Sequence, residues 1–235
     1  MSDAPTLPRK PEGPPRIPGK RAVRPRYAST LLLVRRDGPS PRVLMGRRHG
    51  GHDFMPDKWV FPGGRIDRAD YVAPRAAELD PTVTARLAPM PAKKVEALAL
   101  TAIRETFEEA GLLLAKPAAK TRRAGPWRPF LAQGALPDPS GMRLVARAVT
   151  PPMVGKRFDT LFFLAEAEGL MSLERQADCG ELDEIAWFDF EAAKDLDLPS
   201  VTRTVIKEAG LQLADPDRRA PFMRFAMGGG KTTFV

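Results

Sequence analysis

A mixed α/β domain is the fold class this sequence predicts, and two observations carry it. Apolar runs of strand length stand at 30–34, 43–45, 158–167 and 184–188. Between them, residues 93–110 have helical character, and strands on both sides of a helix exclude a bundle or a sandwich. Hydrophobic residues at 43% and charged residues at 28% permit an ordinary buried core. No apolar run approaches the ~18 residues of a membrane helix; the longest, 161–165, reads as a buried strand.

Taken in order, the folded part is expected to begin at Tyr27. Residues 30–34 run into the turn signal Asp37, Gly38 and Pro39, and 43–45 completes a strand pair. Gly50 and Gly51 open a loop that ends at Trp59, Val60, Phe61, Pro62, Gly63 and Gly64. The helix over 93–110 stops at Gly111, a residue suited to the left-handed C-terminal cap. The stretch 116–129, rich in proline and arginine, reads as loop, and 158–167 and 184–188 read as strands. Val201, Val205 and Leu213 fall at helical spacing with charge between them, marking a surface helix over 201–213. No internal repeat is present.

Proline, at 25 residues, is about twice as frequent as the usual ~5%. Seven of these prolines crowd into residues 1–26 with seven cations and two anions, so that +5 of the net +8 charge sits there. This segment is read as a disordered basic arm, 27–225 as the folded domain, and 226–235 as a flexible tail. A nucleic-acid partner would be met by the arm, but no aromatic residue for base stacking precedes Tyr27, and a solvated arm is the preferred reading. The first residues hold no hydrophobic stretch before a cleavage site, and the one cysteine, Cys179, excludes an internal disulfide and a multi-cysteine zinc site. A cytoplasmic protein without membrane attachment is expected.

The chemistry is concentrated in the helix. At about 100° per residue, Leu100, Ile103, Phe107 and Ala110 share one face, and Glu105, Glu108 and Glu109 lie roughly opposite, at i, i+3 and i+4. Like charges at these spacings cost a few tenths of a kcal/mol per pair, and the helix C-terminus is already negative. Arg104 offsets part of this; a hard divalent cation would offset more, because Mg²⁺ prefers carboxylate oxygen. Standing alone, a pair of glutamates would be read as a solvated acidic face.

The pair does not stand alone. Glu96, seven residues, Arg104 and Glu105, two residues, Glu108 and Glu109, one residue, then Gly111 and Leu112 resembles the second part of the Nudix box. Phe61, Pro62, Gly63 and Gly64 resemble the glycine turn that opens it. The resemblance implies the Nudix fold, a mixed β-sheet sandwiched between α-helices. It also implies Mg²⁺- or Mn²⁺-dependent cleavage of a nucleoside diphosphate linked to another group. On it, Glu105, Glu108 and Glu109 are metal ligands, the Gly63 carbonyl is a further ligand, Arg104 orients the glutamates and Glu96 supports them from behind.

One departure is large. The family places five residues between the second glycine and the first glutamate, whereas 31 separate Gly64 from Glu96. The added material, about 67–92, contains Pro74, Pro81, Pro89 and Pro91 and is read as an excursion off the loop, which lengthens at slowly growing entropic cost. Members similar to coenzyme A diphosphatases also carry an insertion inside the box and share the Trp-Val-Phe-Pro-Gly-Gly entry. Their longer arginine- and histidine-containing signature is not found before Phe61.

The resemblance further implies in-line attack of water on one phosphorus, with divalent cations neutralising charge on the attacking and leaving oxygens. Glu181 and Glu184 are candidates for the general base, and Arg47, Arg48 and Arg157 for phosphate contacts. His49 and His52 could touch substrate but lack a third ligand for a metal. Gly228, Gly229, Gly230, Lys231 and Thr232 imitate a phosphate-binding loop, yet Phe225 stands where its first glycine belongs. Coenzyme A or its esters lead as substrate, with ADP-ribose and NADH next. Two alternatives remain: a catalytically silent domain that binds a nucleotide or a partner, and an RNA pyrophosphohydrolase or decapping enzyme that uses the basic arm. A homodimer is left open.

Overall fold

The structure is a computed structural model that describes residues 23–51, 56–121, 125–152, 155–175, 182–226 and 229–234. The expected arm lies outside these up to residue 22, as do Cys179, Glu181 and His52. The chain begins with β1 (Arg26–Arg35), β2 (Arg42–Arg48), β3 (Trp59–Val60) and β4 (Gly63–Arg65), then α1 (Pro81–Arg86) and α2 (Ala92–Ala110). After β5 (Ala115–Pro117), α3 (Arg128–Leu131) and β6 (Ala135–Pro137) come β7 (Arg143–Val149), β8 (Phe158–Glu166) and β9 (Leu182–Asp189). The chain closes with α4 (Phe190–Ala193), α5 (Ser200–Ala214), β10 (Pro221–Ala226) and β11 (Gly229–Phe234).

Among the described residues, nine strands form one mixed sheet in the order β11, β10, β7, β8, β1, β2, β3, with β4 also on β1 and β9 on β2. Strand β1 runs parallel to β8 from Arg26 opposite Phe158 to Val34 opposite Glu166, and antiparallel to β2 and β4. Its run of four aliphatic residues explains that central place. Leu31 and Leu33 enter the core that holds Leu98, Ile103 and Phe107 of α2, and Leu32 and Val34 enter the core that holds Val205, Ile206 and Ala209 of α5. Successive side chains of a strand point to opposite faces, so only a strand apolar on both faces can sit between two helical layers. This is the mixed sheet between helices that the sequence predicts. No described helix is long and apolar enough to cross a membrane.

Helix α2 buries the expected stripe of Leu100, Ile103, Phe107 and Ala110, and ends at Gly111 in the left-handed region (φ 68°), whose N–H donates to the Phe107 carbonyl at 2.8 Å.

Three expectations need correction. The tail expected at 226–235 contains β11, which pairs with β10 from Pro221 opposite Phe234 to Ala226 opposite Gly229. Main-chain groups alone make such a ladder, so glycines do not prevent it. The 116–129 stretch contributes to β5 and begins α3. The segment 67–92 is no excursion: Leu79, Val83 and Leu87 are buried in the same core as Val95 and Leu98 of α2.

Candidate functional site

The site is built where β4 meets α2. Gly63 and Gly64 pair with Thr30 and Ser29 of β1, so the glycine turn is held edge-on to the central strand. The Gly63 N–H donates to Glu109 Oε2 at 2.9 Å. A side chain on Gly64 would begin 2.3–2.5 Å from the Glu105 carboxylate, so the missing β-carbon is the space that carboxylate fills.

Arg104 organises the helix side. The residue is 4% exposed; its guanidinium carries five N–H groups, and five bonds are made. Nε donates to Asp70 Oδ1 at 2.9 Å, and Nη2 to Asp70 Oδ2 at 3.1 Å and the Arg65 carbonyl at 3.2 Å. Nη1 donates to Glu105 Oε1 at 2.9 Å and Glu108 Oε2 at 2.8 Å. Burial opposes the charge on this guanidinium. The bonded Asp70 carboxylate and the negative charges of Glu105 and Glu108 outweigh that and push its pKa up.

Asp70 is the residue the sequence reading passes over. It is fully buried and also accepts from the Trp127 indole N–H at 2.9 Å and the Asp67 N–H at 2.8 Å. The Thr101 hydroxyl lies 2.8 Å both from Asp70 Oδ2 and from the Ala97 carbonyl, two acceptors for its one proton. A buried carboxylate survives only with such compensation. Five residues separate Gly64 from Asp70, the spacing expected between the second glycine and the first acid of the box. The signal was present, carried by an aspartate in place of a glutamate.

Glu96 stands elsewhere. It accepts from Arg75 Nη2 at 3.5 Å, nine residues before Glu105, which is about 13 Å along a helix axis. Arg47 and Glu184 meet each other at 3.6 Å across β2 and β9. By strand alternation they follow Met45 and Ala186 to the α5 side of the sheet, the opposite face from α2. The Arg48 N–H donates to the Lys58 carbonyl at 3.0 Å. Arg157 clamps backbone, donating to the carbonyls of Thr150 at 3.1 Å and Val23 at 2.7 Å. His49 Nδ1 accepts from the Gly51 N–H at 3.0 Å. The structure thus brings together Gly63, Arg104, Glu105, Glu108 and Glu109, leaves Glu96, Glu184 and Arg47 apart from them, and engages Arg157 with backbone carbonyls.

Among the described residues, no three histidine, cysteine or acidic side chains converge as a ready-made metal cage. The donor set of the helix is nonetheless all oxygen, the chemistry a hard divalent cation takes.

A family model described as the NUDIX domain matches residues 24–209. Over 145 residues the chain is 33% identical to the Gallus gallus acyl-coenzyme A diphosphatase NUDT19, covering 48% of this chain and 38% of that protein. It spans well under two thirds of the curated relatives it matches, 38% of one and 43% of another. A crystal structure of a NUDIX hydrolase from Alicyclobacillus acidocaldarius superposes with a TM-score of 0.58 at 29% identity, covering 81% of this chain and 96% of that one.

Proposed function

Because the chain belongs to the Nudix hydrolase family, we propose that it is a Mg²⁺- or Mn²⁺-dependent diphosphohydrolase that cleaves the pyrophosphate of a nucleoside diphosphate linked to another moiety, with coenzyme A or its esters as substrate class. One observation carries the reading: the Arg104 guanidinium joins Asp70, Glu105 and Glu108 into one unit beside the Gly63/Gly64 turn, where Glu109 is also held. Glu105, Glu108 and Glu109, with the Gly63 carbonyl, would hold the cation. Bound there, a divalent cation supplies charge neutralisation for phosphate oxygens and lowers the pKa of water. Arg104 fixes the glutamates from behind, and the Gly63 N–H holds one oxygen of Glu109. Similarity to the chicken acyl-coenzyme A diphosphatase supports the substrate class.

The test is product release from coenzyme A, ADP-ribose, NADH and nucleoside triphosphates with Mg²⁺, Mn²⁺ or EDTA. Metal-dependent cleavage of coenzyme A is expected, and Glu108→Gln and Glu109→Gln should each lower turnover by roughly 100-fold or more with an unchanged circular dichroism spectrum. Saturable binding without turnover of any compound would replace this reading with a silent binding domain.

A further inference from the structure

Trp127 belongs to neither the glycine turn nor α2, yet its indole reaches the buried heart of the site. The residue is 2% exposed, immediately before α3. Its ring meets Phe130 edge-on at 5.3 Å, and Phe130 meets Phe107 of α2 edge-on at 5.3 Å, so the indole's orientation is set by packing beneath the helix. Its one polar atom, Nε1, donates to Asp70 Oδ1, the oxygen that also accepts from Arg104 Nε; both bonds are 2.9 Å long.

We infer that Trp127 is a positioning residue for the α2 carboxylates, acting through Asp70 and Arg104; the inference rests on the proposed reading of α2 as the cation-binding helix. The guanidinium is planar and rigid, and its Nη1 end holds Glu105 and Glu108. Any shift of Asp70 at the Nε end therefore swings the Nη1 end, and with it both glutamates. Asp70 is fully buried, so a donor taken from it leaves a carboxylate oxygen short of a partner at full desolvation cost. Removing the indole N–H leaves Oδ1 to Arg104 and draws the guanidinium toward Asp70 and away from the glutamates.

Mn²⁺ titration followed by electron paramagnetic resonance tests this on the full chain without a substrate. Trp127→Phe keeps an aromatic ring and deletes the donor; replacement by benzothienylalanine keeps the bicyclic shape as well. Each should weaken Mn²⁺ binding by roughly tenfold, the lower end of what supporting hydrogen bonds contribute at metal sites. In the Asp70→Asn background the same replacements should have no further effect, because the group through which they act is already altered. Should Asp70→Asn not fold, Thr101→Val takes its place, and the two losses should be smaller together than their product. Wild-type affinity in both Trp127 variants, or an undiminished loss in the Asp70→Asn background, would overturn the inference and leave only packing. Absence of Mn²⁺ binding by the unmodified protein would overturn the reading of α2, and this inference with it, before any substitution is made.

Discussion

Gly64 and Gly63 are adjacent glycines with different duties. At Gly64 an added methyl meets the end of the Glu105 side chain, which can swing aside. Gly64→Ala is therefore expected to change unfolding free energy by less than about 1 kcal/mol while turnover falls by roughly 100-fold, through displacement of Glu105. At Gly63 the methyl would stand 2.5 Å from the Ser29 carbonyl oxygen and 2.7 Å from the Thr30 Cα, and backbone cannot swing aside. Gly63→Ala should lower stability by about 2 kcal/mol or more. Urea unfolding beside a turnover assay separates the two. Arg104→Lys keeps the charge but offers three donors where five bonds are made; a loss of about 3 kcal/mol is expected by the same unfolding measurement. The glutamates of α2 were legible in the sequence because helical spacing displays them. Asp70 was masked, because an aspartate stands five residues after Gly64 where a glutamate is expected; its partners Arg104 and Trp127, 34 and 57 residues away, become neighbours only in the fold.

Among the elements, α2 was readable because its apolar stripe is long and Gly111 marks its end. Strand β7 was not, since Arg143 and Arg147 interrupt its apolar pattern. In the fold both arginines are paired, Arg143 with Glu166 at 3.1 Å and Arg147 with Asp159 at 2.7 Å, partners on β8 that the linear chain does not reveal. The insertion behaves as a structural element of the core. Leu87→Ala should cost about 2–4 kcal/mol in urea unfolding, as for any buried leucine, whereas Val72→Ser, at a position 58% exposed, should stay within about 0.5 kcal/mol. Equal and small effects would restore the view of 67–92 as an appendage.

At the scale of the whole molecule, helices on both faces of a mixed sheet followed from the two-sided apolar character of β1, but the extent of the sheet did not. Strands β10 and β11 continue it past β7, with Met223 buried and Phe222 beneath the Arg147 guanidinium at 4.4 Å. Removing 221–235 would bare the β7 edge; lower thermal stability and concentration-dependent association, read by light scattering, are expected. The parallel pairing of β1 with β8 joins Arg26 to Phe158 and Val34 to Glu166, so the central strand finds this neighbour only after some 130 intervening residues exist. On a ribosome, the glycine turn, every glutamate of α2 and Trp127 are all synthesised before β8. A nascent chain halted there would carry the site's acidic groups without the strand that backs them, and the hydrolytic competence proposed for it would arrive late in synthesis, after the sheet has closed around its middle.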